Sequence, residues 1–157
     1  YSGWALQLNS GQPELYLYKS GDGYIYERAA VDLREGNWHH IAATYNGNKD
    51  RTGIIYYVDG QTVTQTNAGN SLTGDISNTA SVGIGAAMFG SSIGFYYQGA
   101  MDNIRLWNGV RSQTEIQSSM TTSITGNESN LLAAYDFEEG TGTSLTDLTS
   151  NGYVGTL

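Results

Sequence analysis

This sequence predicts an all-β fold, an antiparallel β-sandwich with one short helix near 112–120, on three observations. Short runs alternate apolar and polar residues with a period of two, as in Trp4-Ala5-Leu6-Gln7-Leu8 and Leu15-Tyr16-Leu17-Tyr18. Turn chemistry recurs between such runs, because Asn46-Gly47, Asp59-Gly60 and Asn151-Gly152 tolerate positive φ. Charged residues are only 14% of the chain, and 21 glycines stand against a single proline, Pro13, a mixture suited to tight turns.

The elements follow in order. Trp4, Leu6 and Leu8 alternate with Ala5, Gln7 and Asn9 as a half-buried strand, and Asn9 to Pro13 reads as a turn. Leu15 to Tyr18 and Tyr24 to Tyr26, joined through Lys19-Ser20-Gly21-Asp22-Gly23, predict a hairpin with Tyr18 opposite Tyr24 and Tyr16 opposite Tyr26. That register puts four tyrosines on one face and Leu15, Leu17 and Ile25 on the other. Residues 37–45 and 54–58 are two strand-like runs around a polar loop tip, and Asp59-Gly60 turns the second into Gln61-Thr62-Val63. Residues 64–79 show little periodicity and read as an irregular loop, 81–85 as a short strand, and 93–107 as one long strand or two broken around Gly99. Ser112-Gln113-Thr114-Glu115 is a capping box, with Ile116 and Met120 at helical spacing behind it. Residues 131–137 are the last clear strand.

A length of 157 residues supports one domain, 1–157, with a real core. A net charge of -8 and a pI near 4.4 argue against a nucleic-acid partner, which needs a Lys/Arg surface, and favour attraction to cations. The absence of cysteine removes disulfides, zinc thiolate sites and thiol catalysis. No run approaches the ~18 apolar residues of a membrane helix, so membrane insertion is not expected. The opening Tyr1-Ser2-Gly3-Trp4 has no initiator Met, and the expectation is a mature segment or excised domain of a larger secreted protein.

Trp38-His39-His40-Ile41-Ala42 and Tyr57-Val58-Asp59-Gly60 resemble the Trp-His-His strand and the hairpin of laminin-G-like and pentraxin-like jelly rolls in the concanavalin A-like lectin/glucanase superfamily. Gly99-Ala100-Met101-Asp102-Asn103-Ile104-Arg105-Leu106-Trp107 is similar to the strand ahead of the helix in bacterial laminin-G-like domains, and Tyr135-Asp136-Phe137-Glu138-Glu139-Gly140 to a later segment. The resemblance implies a secreted, extracellular or cell-surface module, lectin-like or adhesive, with a structural calcium ion. Domains of this kind usually begin with two strands that have no counterpart here. The region 131–157 would fill their place, a neighbouring chain would donate them, or the chain is truncated.

Candidate sites are of three kinds. Tyr16, Tyr18, Tyr24 and Tyr26 form a candidate sugar platform, since aromatic rings stack on pyranose faces, although sheet chemistry alone also favours tyrosine. Asp147, Thr149 and Asn151 place side-chain oxygens at alternate positions ahead of Gly152, which suits either the opening of a calcium loop or an Asx-turn. Asp102, read as lying on an inner strand, needs a cation or hydrogen bonds; Arg105 is one partner and a shared calcium ion is the one the resemblance implies. Glu138 and Glu139 read as a solvated turn, and His39 and His40 as strand neighbours on opposite faces, one packed, one partly exposed, and neither catalytic.

Glucanases on this fold use two carboxylates on one strand face, spaced as Glu-x-Asp-x-x-Glu, and that run does not occur; nor does a nucleophile elbow, phosphate loop or zinc helix. The expectation is a non-catalytic binding module for a glycan, with an adhesion or structural module engaging a cell-surface protein or further copies of itself as the alternative.

Overall fold

Period-two alternation becomes strand along much of the chain, which the computed structural model describes over residues 2–89 and 92–156. The chain divides into two units, Tyr1–Tyr97 and Gln98–Leu157. The first and last residues of the motifs above, Tyr1 and Leu157, lie outside the described residues.

In the first unit β1 (Ser2–Asn9), β2 (Gln12–Lys19) and β3 (Gly23–Ala29) form an antiparallel meander. A second sheet joins β4 (Ile41–Tyr45), β5 (Ile54–Val58) and β6 (Gln61–Val63), with a single 3-10 turn, Arg51–Gly53, ahead of β5. Asp59 and Gly60 take φ of 51° and 74° between Val58 and its partner Gln61, the two-residue hairpin that the sequence predicts. The chain then returns to the first sheet as β7 (Gln65–Asn70), giving the order β1-β2-β3-β7, while β8 (Ala87–Phe89) and β9 (Ser92–Gly94) form a separate hairpin.

The two larger sheets make a sandwich around Leu15, Leu17, Ile25, Ala29, Ile54, Tyr56 and Leu72, all buried. Each large apolar side chain placed there contributes about 1.5–3 kcal/mol. Tyr56 joins the layers: its phenol donates to the Glu27 carbonyl at 2.6 Å and accepts from the Leu15 N–H at 2.5 Å. Burial raises its pKa.

The second unit holds β10 (Ile104–Trp107), the helix α1 (Gln113–Ser119), β11 (Leu131–Tyr135), β12 (Ser144–Leu145) and β13 (Gly155–Thr156). β10 pairs antiparallel with β11, and β12 with β13. The capping box forms, with Ser112 accepting from the Glu115 N–H and the Glu115 carboxylate accepting from the Ser112 N–H. Arg105 donates to the carbonyls of Ser119, the last residue of α1, and Thr122 beyond it, at 2.6 and 2.9 Å, so its charge sits where the helix carbonyls concentrate.

Three local readings are corrected, and a fourth resolves to two strands on either side of Gly99. Pro13 lies within β2, not in a turn, and the turn is Ser10-Gly11. Residues 64–79 contain β7, whose polar sequence shows no apolar alternation because β3 supplies its pairing through the backbone. Residues 81–85 are irregular and Val82 is exposed; the strand comes later, at β8. Between β9 and β10 the chain is irregular over 95–103, with Phe95 and Asn103 both at positive φ, so the break around Gly99 is wide.

Candidate functional site

The register of β2 on β3 pairs Tyr16 with Tyr26 and Tyr18 with Tyr24, as alternation requires. All four rings stand on the face of the sheet turned away from Leu15, Leu17 and Ile25. Tyr16 is the hub: its ring lies 6.1 Å from that of Tyr18 and nearly parallel to it, 5.7 Å from Tyr24 and 6.0 Å, edge-on, from Tyr26. Such contacts add about 0.5–1.5 kcal/mol per pair beyond area burial and hold the rings in place. Burial and the neighbouring Tyr24 and Tyr18 raise the pKa of Tyr16, so its phenol stays neutral.

Tyr24 is the most open of the four at 38% exposure, and its ring leans into the space above Gly69 on β7. A Cβ at position 69 would collide with that ring, so glycine is what admits it.

The same face carries three residues that the sequence reading did not single out. Glu14, only 1% exposed, accepts from Gln7 Nε2 at 2.9 Å, from the Tyr26 hydroxyl at 2.8 Å and from Arg28 Nε at 2.5 Å. Arg28 Nη2 also meets Glu14 and the Tyr26 hydroxyl, and the guanidinium lies 5.7 Å from the Tyr26 ring centroid. The pKa of Tyr26 is raised by burial and by its bond to Glu14. The signal was available: Glu14-x-Tyr16-x-Tyr18 and Tyr24-x-Tyr26-x-Arg28 share one parity, and the tyrosine register implies the pairing of Glu14 with Arg28.

The residues predicted to hold calcium occupy the second unit. Asp147 is 7% exposed, and its carboxylate is already filled: Oδ1 accepts from the N–H groups of Ala134 and Thr149, and Oδ2 from the Thr149 hydroxyl and the Tyr153 N–H. Burial works to raise its pKa, and these bonds outweigh it and hold the carboxyl below its ordinary value. Thr149 and Asn151 turn donors toward the Leu132 carbonyl, at 3.3 and 2.9 Å. Asp102 is exposed and outside any strand, contrary to the inner-strand reading; its Oδ1 accepts from the Asn103 N–H, because the chain reaches extended geometry only at Ile104. Asp147, Thr149 and Asn151 thus form the Asx-turn of the two arrangements, and as placed the four residues do not fit a calcium ion. No group of three or more His, Asp or Glu side chains suited to a metal occurs among the described residues.

Two further charged arrangements emerge only in three dimensions. Glu27 points into the sandwich at 0% exposure with neither carboxylate oxygen hydrogen-bonded, and the Arg51 guanidinium comes no closer than 3.9 Å. Burial raises its pKa, with Arg51 pulling the other way. Glu14 and Glu27 face opposite sides of one sheet, so they cannot flank a glycosidic bond. His39 is bracketed by two carboxylates, with Nδ1 2.8 Å from Asp59 Oδ2 and Nε2 2.8 Å from Glu35 Oε1; the Asp59 hydrogen bond is the larger influence raising its pKa. Asp59 Oδ1 also accepts from the His40 N–H at 2.9 Å, tying the 35–40 loop to the β5–β6 turn, while Trp38 in that loop is 69% exposed.

Comparison with known proteins adds one family. A laminin-G-type family model, described as the concanavalin A-like lectin/glucanases superfamily, matches residues 1–117. No curated protein and no solved structure matches the chain.

Proposed function

From the premise that this chain belongs to the concanavalin A-like lectin/glucanase superfamily, we propose that it is a non-catalytic binding module, extracellular or at a cell surface, whose ligand is a glycan held on the tyrosine face. The observation that carries the reading is the cluster of Tyr18, Tyr24 and Tyr26 around Tyr16, which contacts all three, on the side of the sheet that the core does not use. Aromatic faces suit the apolar faces of sugar rings, and phenol hydroxyls suit their polar edges. The opposed orientation of Glu14 and Glu27 supports the non-catalytic part. The reading carries no calcium ion, since the Asp147 carboxylate is filled by four protein donors and Asp102 stands exposed outside any strand.

A glycan array followed by titration of any hit tests this. Binding that falls at least ~10-fold in Tyr24→Ala supports the reading, and so does a loss in Gly69→Val, which evicts the Tyr24 ring without touching a tyrosine. An array without hits, or hits indifferent to both changes, overturns it.

A second reading, an adhesion or structural module that engages a protein partner or copies of itself, draws on β1. Trp4 and Leu6 stand on its core-facing side yet remain 47% and 43% exposed, on an uncharged strand at a sheet edge. Sedimentation showing a stable monomer, unaltered by Leu6→Lys, counts against it.

A further inference from the structure

We infer that the tyrosine face selects an uncharged glycan and binds it without a metal ion, because the one ion pair on that face is spent internally. This rests on the face being a sugar site.

Strand parity sets what this face presents. Outward positions on β1, β2, β3 and β7 carry tyrosines, small residues such as Gly3, Ala5 and Gly69, and neutral polar groups such as Gln7 and Thr66. Among the outward described positions of the paired strands, the charged ones are Glu14 and Arg28, and these two face each other across β2 and β3. Their ion pair is direct, and the Glu14 side chain is 1% exposed while that of Arg28 is 29% exposed. An anionic sugar approaching Arg28 therefore meets a guanidinium whose charge is already neutralised at contact distance, and the chain's net charge of -8 repels it further. A metal fares no better. The oxygens of Glu14 are occupied by Gln7, Tyr26 and Arg28, and a cation placed there would sit against a guanidinium.

Glu14 is thus a positioning residue, acting through others. It orients Gln7, the Tyr26 hydroxyl and Arg28 along one border of the ring cluster, and leaves Arg28 able to present a hydrogen-bond edge without net charge. Geometry is retained and neutrality lost if the carboxylate alone is replaced by an amide. Glu14→Gln therefore changes the kind of ligand accepted, an outcome that a merely structural role does not produce.

The test is calorimetric titration of the whole chain with neutral cello-, xylo- and mannooligosaccharides and with acidic oligogalacturonates and heparin fragments, with and without EDTA. Wild type is expected to bind a neutral oligosaccharide with affinity that changes less than about twofold between ~50 and ~500 mM NaCl and is indifferent to EDTA, and to ignore the acidic ones. Glu14→Gln is expected to gain acidic-glycan binding at least about tenfold above wild type at ~50 mM NaCl and to lose it at ~500 mM. Adding Arg28→Met should abolish the gain. Wild-type binding of acidic glycans, steep salt dependence or EDTA sensitivity overturns the inference and leaves the sugar-site reading standing. Absence of binding to every glycan, neutral or acidic, overturns both. If Glu14→Gln does not fold, the wild-type salt and EDTA arms decide alone.

Discussion

Glu27 and Asp147 are both buried carboxylates, and their surroundings give them opposite consequences. Glu27 has no hydrogen bond on either oxygen, and burial raises its pKa against the weaker pull of Arg51. Its folded-state pKa lies above the unfolded one, so its contribution to stability is greatest below the ordinary value of 4.5 and is lost as pH rises through the folded pKa. Glu27→Met, similar in length and apolar, should raise stability at pH 7 by about 1–3 kcal/mol, with a gain that shrinks as pH approaches 4, measured by urea melts across pH. Asp147 is the reverse case, satisfying three backbone N–H groups and a hydroxyl. Asp147→Ala should cost about 3 kcal/mol, because those buried donors lose their acceptor, while EDTA should leave the wild-type melting temperature unmoved. Sequence alone could not separate the calcium loop from the Asx-turn at Asp147-x-Thr149-x-Asn151, because both need oxygens at the same spacing. Only the direction in which the neighbouring N–H groups point distinguishes them.

Among the elements, the loop at 35–40 and the β5–β6 turn behave as one clamped pair through His39. An imidazolium donates to Glu35 and Asp59 at once; a neutral ring donates to only one of them. The pKa of His39 is raised from 6.5, so the clamp is complete below that value and weakens as pH rises through the folded-state pKa. Hydrogen exchange at 35–40, corrected for intrinsic rate, should accelerate across that range, Trp38 fluorescence should shift with it, and His39→Gln should flatten both. Legibility at this scale followed the physics of pairing. Hairpins with a turn signal and alternation, Leu15 to Ile25 and Tyr56 to Val63, could be read with their register. β7 could not, because Gln65 to Asn70 carries no apolar pattern: Gln65 and Asn70 spend their amides on the Ile54 carbonyl, the Arg51 N–H and Asp50. The His39 clamp joins residues 20 apart in sequence, and nothing local announces it.

Across the whole molecule, few charges and many apolar groups at the surface set solution behaviour. Trp4, Leu6, Phe95 and Tyr96 are all substantially exposed on a chain with 14% charged residues, and its net charge of -8 opposes association between copies. Light scattering should show association growing as pH falls toward 4.4, where that charge vanishes, and Leu6→Lys should reduce it. The all-β class and the family could be read from turn chemistry and motif order; the proposed binding face needed the register, since partnership across strands decides which side chains share it. Along β2 and β3, residues 15, 17, 25 and 29 hold the sandwich together, while 16, 18, 24 and 26 take no part in that core. Selection or an engineer can therefore rewrite the outward set, with Glu14 and Arg28 exchanged as a couple, and obtain new specificities on an unchanged interior: the parity of a β-strand separates what the domain is from what it recognises.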